Sequence, residues 1–314
     1  MYQATATHPG PVAPCSCVLA SPTPGGGCGT SSTPCVARSR AAWVRPLLAA
    51  GCGLAGWGLF ESQWLDCKVV DVPVAGLPPA LDGLSLLHLS DLHAGTPSLN
   101  LRALRRAVDF GVEMRPDLVA ITGDLISHPR AIDTVERELA RLQPPLGAYA
   151  VTGNHDVGAT NDPFSRGVVV EDWGQAGVET LRDRSVVLTT RGMAIELAGV
   201  DATTWLVGES RPEQLFERPD AFRILLSHFP DAAEGLPAGT CSLVLSGHLH
   251  GGQICLPGPR GRIKLSHGNW RFDEGVFEHE GMTVVVSRGV GTTLVPFRLL
   301  SRPEVCLLRL TRVG

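Results

Sequence analysis

From Leu84 to His93 the chain reads Leu-Ser-Leu-Leu-His-Leu-Ser-Asp-Leu-His, an apolar run that stops in two residues able to hold a metal. A short continuous apolar run closed by polar residues reads as a strand buried on both faces. The same design returns four times. Leu118 to Thr122 leads into Asp124, Gly147 to Thr152 into Asn154-His155-Asp156, Phe222 to Leu226 into His228, and Ser242 to Leu245 into His248 and His250. Helical stretches lie between the runs, one of them with Leu101, Leu104, Ala107, Val108 and Val112 on a single face. The alternation predicts α/β layers with covered sheets. Further strands are expected at Met193 to Val200, Met282 to Val286 and Glu304 to Leu310, and no internal repeat is visible.

In open α/β sheets, functional side chains gather in the crevice beyond the carboxyl ends of the strands. Five of the ten histidines fall at such ends. Taken singly the blocks are weak: Asp91-Leu92-His93 and Gly123-Asp124 read equally well as turns, and Ser227-His228 says little. Gly153-Asn154-His155-Asp156 is more specific, because four polar or flexible residues follow one strand. Gly247-His248-Leu249-His250 is more specific again, since alternation along an extended chain sends both imidazoles to one side. Carboxylate, amide and imidazole donors without thiolate argue against structural zinc and for manganese, iron or exchangeable zinc, with manganese favoured.

In this order the blocks resemble those of the calcineurin-like metallophosphoesterases, D-x-H, GD, GNHD, H and GHxH. The likeness extends from Phe60 to Leu310 and looks closest to a membrane-associated bacterial branch related to UDP-2,3-diacylglucosamine pyrophosphatase-type enzymes. Leu77-Pro78-Pro79, Gly251-Gly252-Gln253 and Ser287-Arg288-Gly289-Val290-Gly291 carry that closer similarity. The resemblance implies a four-layer αββα sandwich of two mixed sheets flanked by helices, with a dinuclear site at the strand ends. It implies one divalent cation on Asp91, His93, Asp124 and His250, and another on Asp124, Asn154, His228 and His248. Two cations about 3.5–4 Å apart share a bridging hydroxide during in-line attack on phosphorus. His155, with no ligand role, is expected to stabilise the transition state or protonate the leaving oxygen, and Asp156 to fix its tautomer. The implied activity is hydrolysis of a phosphodiester or pyrophosphate, lipid-linked or nucleotide-linked. The rivals are a broad phosphatase, a metal-dependent amide or ester hydrolase, and a scaffold that has lost catalysis.

Around this core the sequence is less specific. A net charge of −4 over 314 residues leaves no basic surplus, so nucleic acid is not an expected partner. Residues 1–40, rich in Pro, Gly, Ser and Thr, read as a disordered leader. Residues 41–60 read as a signal core or marginal anchor, and residues 61–314 as the catalytic domain. The uncharged stretch from Pro46 to Phe60 is short for a spanning helix, and its four glycines weaken it as a buried one. Arg38, Arg40 and Arg45 before it favour a domain outside the cytoplasm. From Cys255 to Gly275, Arg260, Arg262, Lys264 and Arg271 beside Trp270 and Phe272 suit either an anionic membrane interface or an ordinary surface loop whose aromatics pack inward. Gln253 and Arg288 are candidate substrate contacts that serve equally well as a turn closure and a structural arginine. His88 reads as a packed core histidine. Cys67, Cys241, Cys255 and Cys306 have no metal-binding spacing and read as small buried hydrophobes.

Overall fold

In the computed structural model, the described residues are 41–96, 100–166, 169–170, 172–259, 261–265 and 271–313, with side chains from Arg45 onward. The 1–40 leader lies outside them. The chain divides at Pro46, and the larger unit, Leu47–Gly314, holds the layers.

Two six-stranded sheets form the centre. The first has the order β1 (Asp66–Val74), β14 (Glu304–Arg312), β2 (Ser85–Leu89), β3 (Leu118–Thr122), β4 (Ala148–Val151), β5 (Val178–Thr180). The second has the order β12 (Gly275–His279), β13 (Met282–Val286), β9 (Leu243–Ser246), β8 (Phe222–Leu226), β7 (Met193–Gly199), β6 (Arg184–Thr190). Strands β2 to β5 run parallel, as do β7, β8, β9 and β13, while β14–β2, β12–β13 and β6–β7 are antiparallel. Both sheets are therefore mixed, as expected. A small antiparallel pair, β10 (Cys255–Gly258) and β11 (Gly261–Lys264), stands apart.

Packing follows from the continuous apolar runs. Strands β2, β3, β4, β9 and β13 are buried along almost their whole length, so each contributes side chains to both faces. Leu86, Leu118, Leu197, Ile224, Leu243 and Leu245 meet between the sheets. Helices α2 (Asn100–Met114) and α3 (Ile132–Leu139) cover the outer face of the first sheet. Short helical turns, α4 (Ala202–Leu206) among them, border a third cluster built on the second sheet around Val200, Leu225, Val244, Val284 and Phe272. The buried row of α2 is Ala103, Leu104, Ala107, Val108 and Gly111, whereas Val112 is 43% exposed. The expected face is thus offset by one residue, because the small Gly111 lets the helix lie close on Leu87.

Helix α1 (Ala41–Glu61) occupies the apolar segment. Leu47, Leu48, Leu54, Trp57 and Phe60 are exposed, and only its last turn joins the domain. Among the described residues no helix is long and apolar enough to cross a membrane. His88 sits in β2 fully buried, as expected, with burial lowering its pKa to about 4. Cys241, Cys255 and Cys306 are buried, but Cys67 is exposed because β1 is an edge strand with alternating burial.

Candidate metal centre

The parallel strands of the two sheets deliver their carboxyl ends to one cleft. Asp91 and His93 follow β2, Asp124 follows β3, Asn154 follows β4, His228 follows β8, and His248 and His250 follow β9. Their donor atoms converge. Asp124 Oδ2 lies 3.6 Å from His93 Nε2 and 3.3 Å from His228 Nε2. His250 Nε2 is 3.0 Å from His93 Nε2 and 3.4 Å from Asp91 Oδ1. On the other side of Asp124, His228 Nε2 is 3.0 Å from His248 Nδ1 and 3.2 Å from Asn154 Oδ1. All seven sequence candidates therefore share one site. They form overlapping groups, Asp91 with His93 and His250, His93 with Asp124 and His155, and Asp124 with His228 and His248, and within each group the donor atoms lie within 4.8 Å of one another.

The backbone that achieves this is unusual. Asp91, His93, Asp124, His248 and His250 all have positive φ, between 43° and 74°. Asp and His enter the left-handed region more readily than most residues, though still at a cost. His248 and His250 consequently do not alternate along an extended chain: β9 ends at Ser246, and the two imidazoles face opposite sides of the cleft.

In the rings of His93, His228 and His250 the other nitrogen is occupied. His93 Nδ1 is 2.9 Å from the Ser127 hydroxyl, His228 Nδ1 is 2.8 Å from the Thr122 carbonyl, and His250 Nδ1 is 3.1 Å from an Arg298 guanidinium nitrogen. Such partners fix ring orientation. Ser90 donates to Asp91 Oδ2 at 2.6 Å. Burial works against the Asp124 carboxylate, but His228, His155 and His93 outweigh it and hold its pKa well below the usual value. Burial also opposes a charge on His228, yet the Asp124 carboxylate and its hydrogen bond lift that imidazole to about 9. Asp91 is raised to about 6, chiefly by burial. Two neighbouring buried carboxylates call for positive charge between them, and a donor set of oxygen and imidazole nitrogen suits a divalent cation.

His155 stands over the site, its ring edge-on to His93 at 4.5 Å between centroids. The ring meets hydroxyls: Nδ1 is 3.2 Å from Ser165, and Nε2 is 3.1 Å from Thr160 and 3.5 Å from Thr293. Asp156 does not reach it. Both Asp156 oxygens accept backbone N–H groups, from Leu125, Ile126 and Gly153, so this carboxylate clamps the loop after β3 to the loop after β4. The other sequence candidates are also turned elsewhere. Gln253 is buried, donating to the Thr293 and Val295 carbonyls and accepting from Thr293 N–H. Arg288 is bound by Glu304 and Asp66. In the loop after the histidine pair, Arg262 and Lys264 pair with Glu274 and Asp273, and Phe272 packs inward. These cations are neutralised by carboxylates on the same loop. Arg260 and Trp270 lie outside the described residues.

Sequence reasoning missed the hydroxyls around His155, Ser127 behind His93, and Arg298. Arg298 is fully buried, and nothing local in the sequence marks it. The cleft has a volume of ≈ 260 Å³ and is lined by Asp124, Asn154, His155, Thr160, Asp162 and Leu294 among others; among the described residues no Lys or Arg lines it.

Residues 84–252 match the family model of the calcineurin-like phosphoesterases. The chain is 30% identical to the uncharacterized metallophosphoesterase YkuE of Bacillus subtilis, over 84% of this chain and 93% of that protein. It is 29% identical to the phosphodiesterase YaeI of Escherichia coli, over 72% of this chain and 81% of the relative. It is 27% identical to the UDP-2,3-diacylglucosamine pyrophosphatase LpxG of Chlamydia trachomatis, over 73% and 84%. With its strand-end Asp, Asn and His residues gathered in one cleft and these matches along most of its length, the chain belongs to the calcineurin-like phosphoesterase family.

Proposed function

We propose that this chain hydrolyses phosphodiester or pyrophosphate bonds with two divalent cations, manganese preferred. One is held by Asp91, His93, Asp124 and His250, the other by Asp124, Asn154, His228 and His248. The family binds two divalent metals, and the His and Asp clusters fit them. The observation that carries the reading is Asp124 Oδ2 lying between His93 and His228, which suits a carboxylate shared by both cations. Bound cations would supply Lewis acidity and acidify a water near neutral pH. The protein's own part is to orient. Asp156 holds the two loops in register, and Asp124 Oδ1 accepts the His155 N–H at 2.8 Å. The His155 ring, steadied by Ser165 and Thr160, donates a proton or hydrogen bond to the leaving oxygen.

A diester suits this cleft better than a monoester. A dianion calls for additional positive charge, and among the described residues no Lys or Arg lines the walls. A lipid-linked substrate, resembling the nucleotide-linked diacyl sugar named for one relative, is supported by two features. A small apolar slot formed by Thr96, Phe164, Leu294, Val295 and Pro296 opens beside the cleft and shares Asp162, Thr293 and Leu294 with it. The exposed leucines and aromatics of α1 suit contact with a membrane, which would raise the effective concentration of lipid substrates. The test compares kcat/KM, with Mn²⁺ present, on a nucleotide-linked diacyl sugar in mixed micelles, a soluble diester and a soluble monoester. The expected order is micellar substrate, soluble diester, monoester. Best turnover of the monoester with no gain from micelles would replace this reading with a broad phosphatase.

A further inference from the structure

The turn that carries His250 has little local reason to keep its shape. His250, Gly251, Gly252 and Gln253 all have positive φ, and a non-glycine residue in that region is disfavoured by its own Cβ. Bonds from elsewhere must therefore hold it, and they come from the segment 293–301. The Ser301 hydroxyl donates to the carbonyls of His250 at 2.8 Å and Gly251 at 3.2 Å. Arg298 Nη1 donates to the His250 carbonyl at 3.2 Å and the Ser301 carbonyl at 3.1 Å, and Nη2 lies 3.1 Å from His250 Nδ1. The guanidinium thus meets the ring on the side away from Nε2, which faces Asp91 and His93. Among the described residues no carboxylate lies within ion-pair distance of Arg298, and the carbonyls of the 288–301 segment surround it instead.

That segment is in turn held by the last turn of α1. Glu61, 3% exposed, accepts the Ser301 N–H at 2.7 Å and the Trp57 indole N–H at 3.1 Å. The Gly58 carbonyl accepts the Arg298 N–H at 3.1 Å, and a Cβ at Gly58 would come within 3.1 Å of Phe297 and of the Arg298 carbonyl. An unbroken series of bonds thus runs from Glu61 through Ser301 and Arg298 to His250. Glu61 touches none of the cleft residues itself.

We propose that Glu61 is a positioning residue for the metal centre: through Ser301 and Arg298 it fixes the His250 turn, so that the end of helix α1 sets the affinity of the cation held by Asp91, His93 and His250. The proposal rests on the two-cation reading above. Loss of a group that orients a metal-binding side chain lowers metal affinity about 10- to 100-fold, whereas a merely structural contact would lower both sites in step with thermal stability.

The experiment is equilibrium dialysis of the full chain against Mn²⁺, with metal content and Tm measured on the same samples. The proteins are wild type, Glu61→Ala, Glu61→Gln, Ser301→Ala and, as a neighbouring control, Arg302→Ala. Wild type should bind two ions. Glu61→Ala and Ser301→Ala should each weaken one of them about tenfold and leave the other unchanged. Glu61→Gln keeps an acceptor for the Ser301 N–H and should restore wild-type binding, and Arg302→Ala should match wild type. Should Glu61→Ala fail to fold, Ser301→Ala and the Gln variant decide. Two ions bound at wild-type strength in both Ala variants would overturn the proposal, as would loss of both ions in proportion to Tm. A wild type that does not bind two ions would instead defeat the two-cation reading itself.

Discussion

Replacing Gly153 with Ala puts a single methyl group at the centre of the site. A Cβ there lies 2.1 Å from Asp124 Oδ1 and 2.5 Å from the Asp124 amide nitrogen, where ordinary contact begins at 3.4 Å. The carboxylate has to retreat by more than an ångström. The amide is less free, because the Asp124 carbonyl accepts the His93 N–H at 2.9 Å and so ties this residue to the loop after β2. Overpacking of this kind costs about 1–3 kcal/mol of stability, and shifting a reacting group by about 1 Å costs about 100-fold in rate. Because Asp124 also accepts the His155 N–H, both proposed cation positions and His155 are disturbed together. Gly177→Ala is the comparison: its φ is +70° and nothing lies within 4 Å, so only backbone strain of about 1–2 kcal/mol is added. Tm should fall comparably in both variants. Bound Mn²⁺ and kcat/KM on a chromogenic diester should collapse only in Gly153→Ala. A Gly153→Ala protein that binds two ions and keeps nearly full activity would refute the shared role of Asp124.

Asp124→Ala should abolish metal binding and activity, whereas His155→Ala should retain both ions and lose mainly kcat, since its ring nitrogens are held by hydroxyls and the ring meets His93 only edge-on; metal content decides. His88 is held neutral by burial with its pKa lowered from 6.5 to about 4, so its contribution is complete above pH 6.5 and is lost as pH falls toward 4, worth about 3 kcal/mol across that window. Urea midpoints against pH should therefore show a shallower acid limb in His88→Leu. Cells expressing the full chain should carry more of it in the membrane fraction than cells expressing a version starting at Trp57, which keeps the docked Gly58 and Glu61. Equal solubility of the two would remove α1 as a membrane contact.

The strands most legible in the sequence were those buried on both faces. Phe222 to Leu226 and Met282 to Val286 emerge at the expected boundaries because a doubly covered strand is apolar at nearly every position, Arg223 and Thr283 being the exceptions here. Strands β1 and β6 were missed for the converse reason. Each lies at a sheet edge with one face toward solvent, and runs such as Asp66-Cys67-Lys68 carry too much charge to stand out. The seven donor side chains could be found because they sit at strand ends in a fixed order. Their supports could not: Arg298 is far from His250 in sequence, and an arginine is most often a surface residue. Of the arginines near the end of the chain, Arg288 drew attention through its glycine-rich setting, yet Arg298 is the one that touches an imidazole of the site.

The pair His248 and His250 shows why periodicity misreads such a site. An extended chain would have sent both rings to one side, and a single cation would then have taken both. The left-handed backbone at both positions breaks the alternation, so that His248 meets His228 while His250 meets His93. The same conformation recurs at Asp91, His93 and Asp124. Conformations of this kind persist only where the surroundings over-determine them. Here the surroundings are identifiable: Asp156 clamps the loops after β3 and β4, Asn100 donates to the carbonyls of His93 and Thr292, and Arg298 and Ser301 hold the turn after β9. Strain in the donor-bearing backbone and density of bonds behind it are therefore two sides of one design. Substitutions in that backing, and not only in the donors themselves, should accordingly be visible first as lost metal affinity and only afterwards as lost fold.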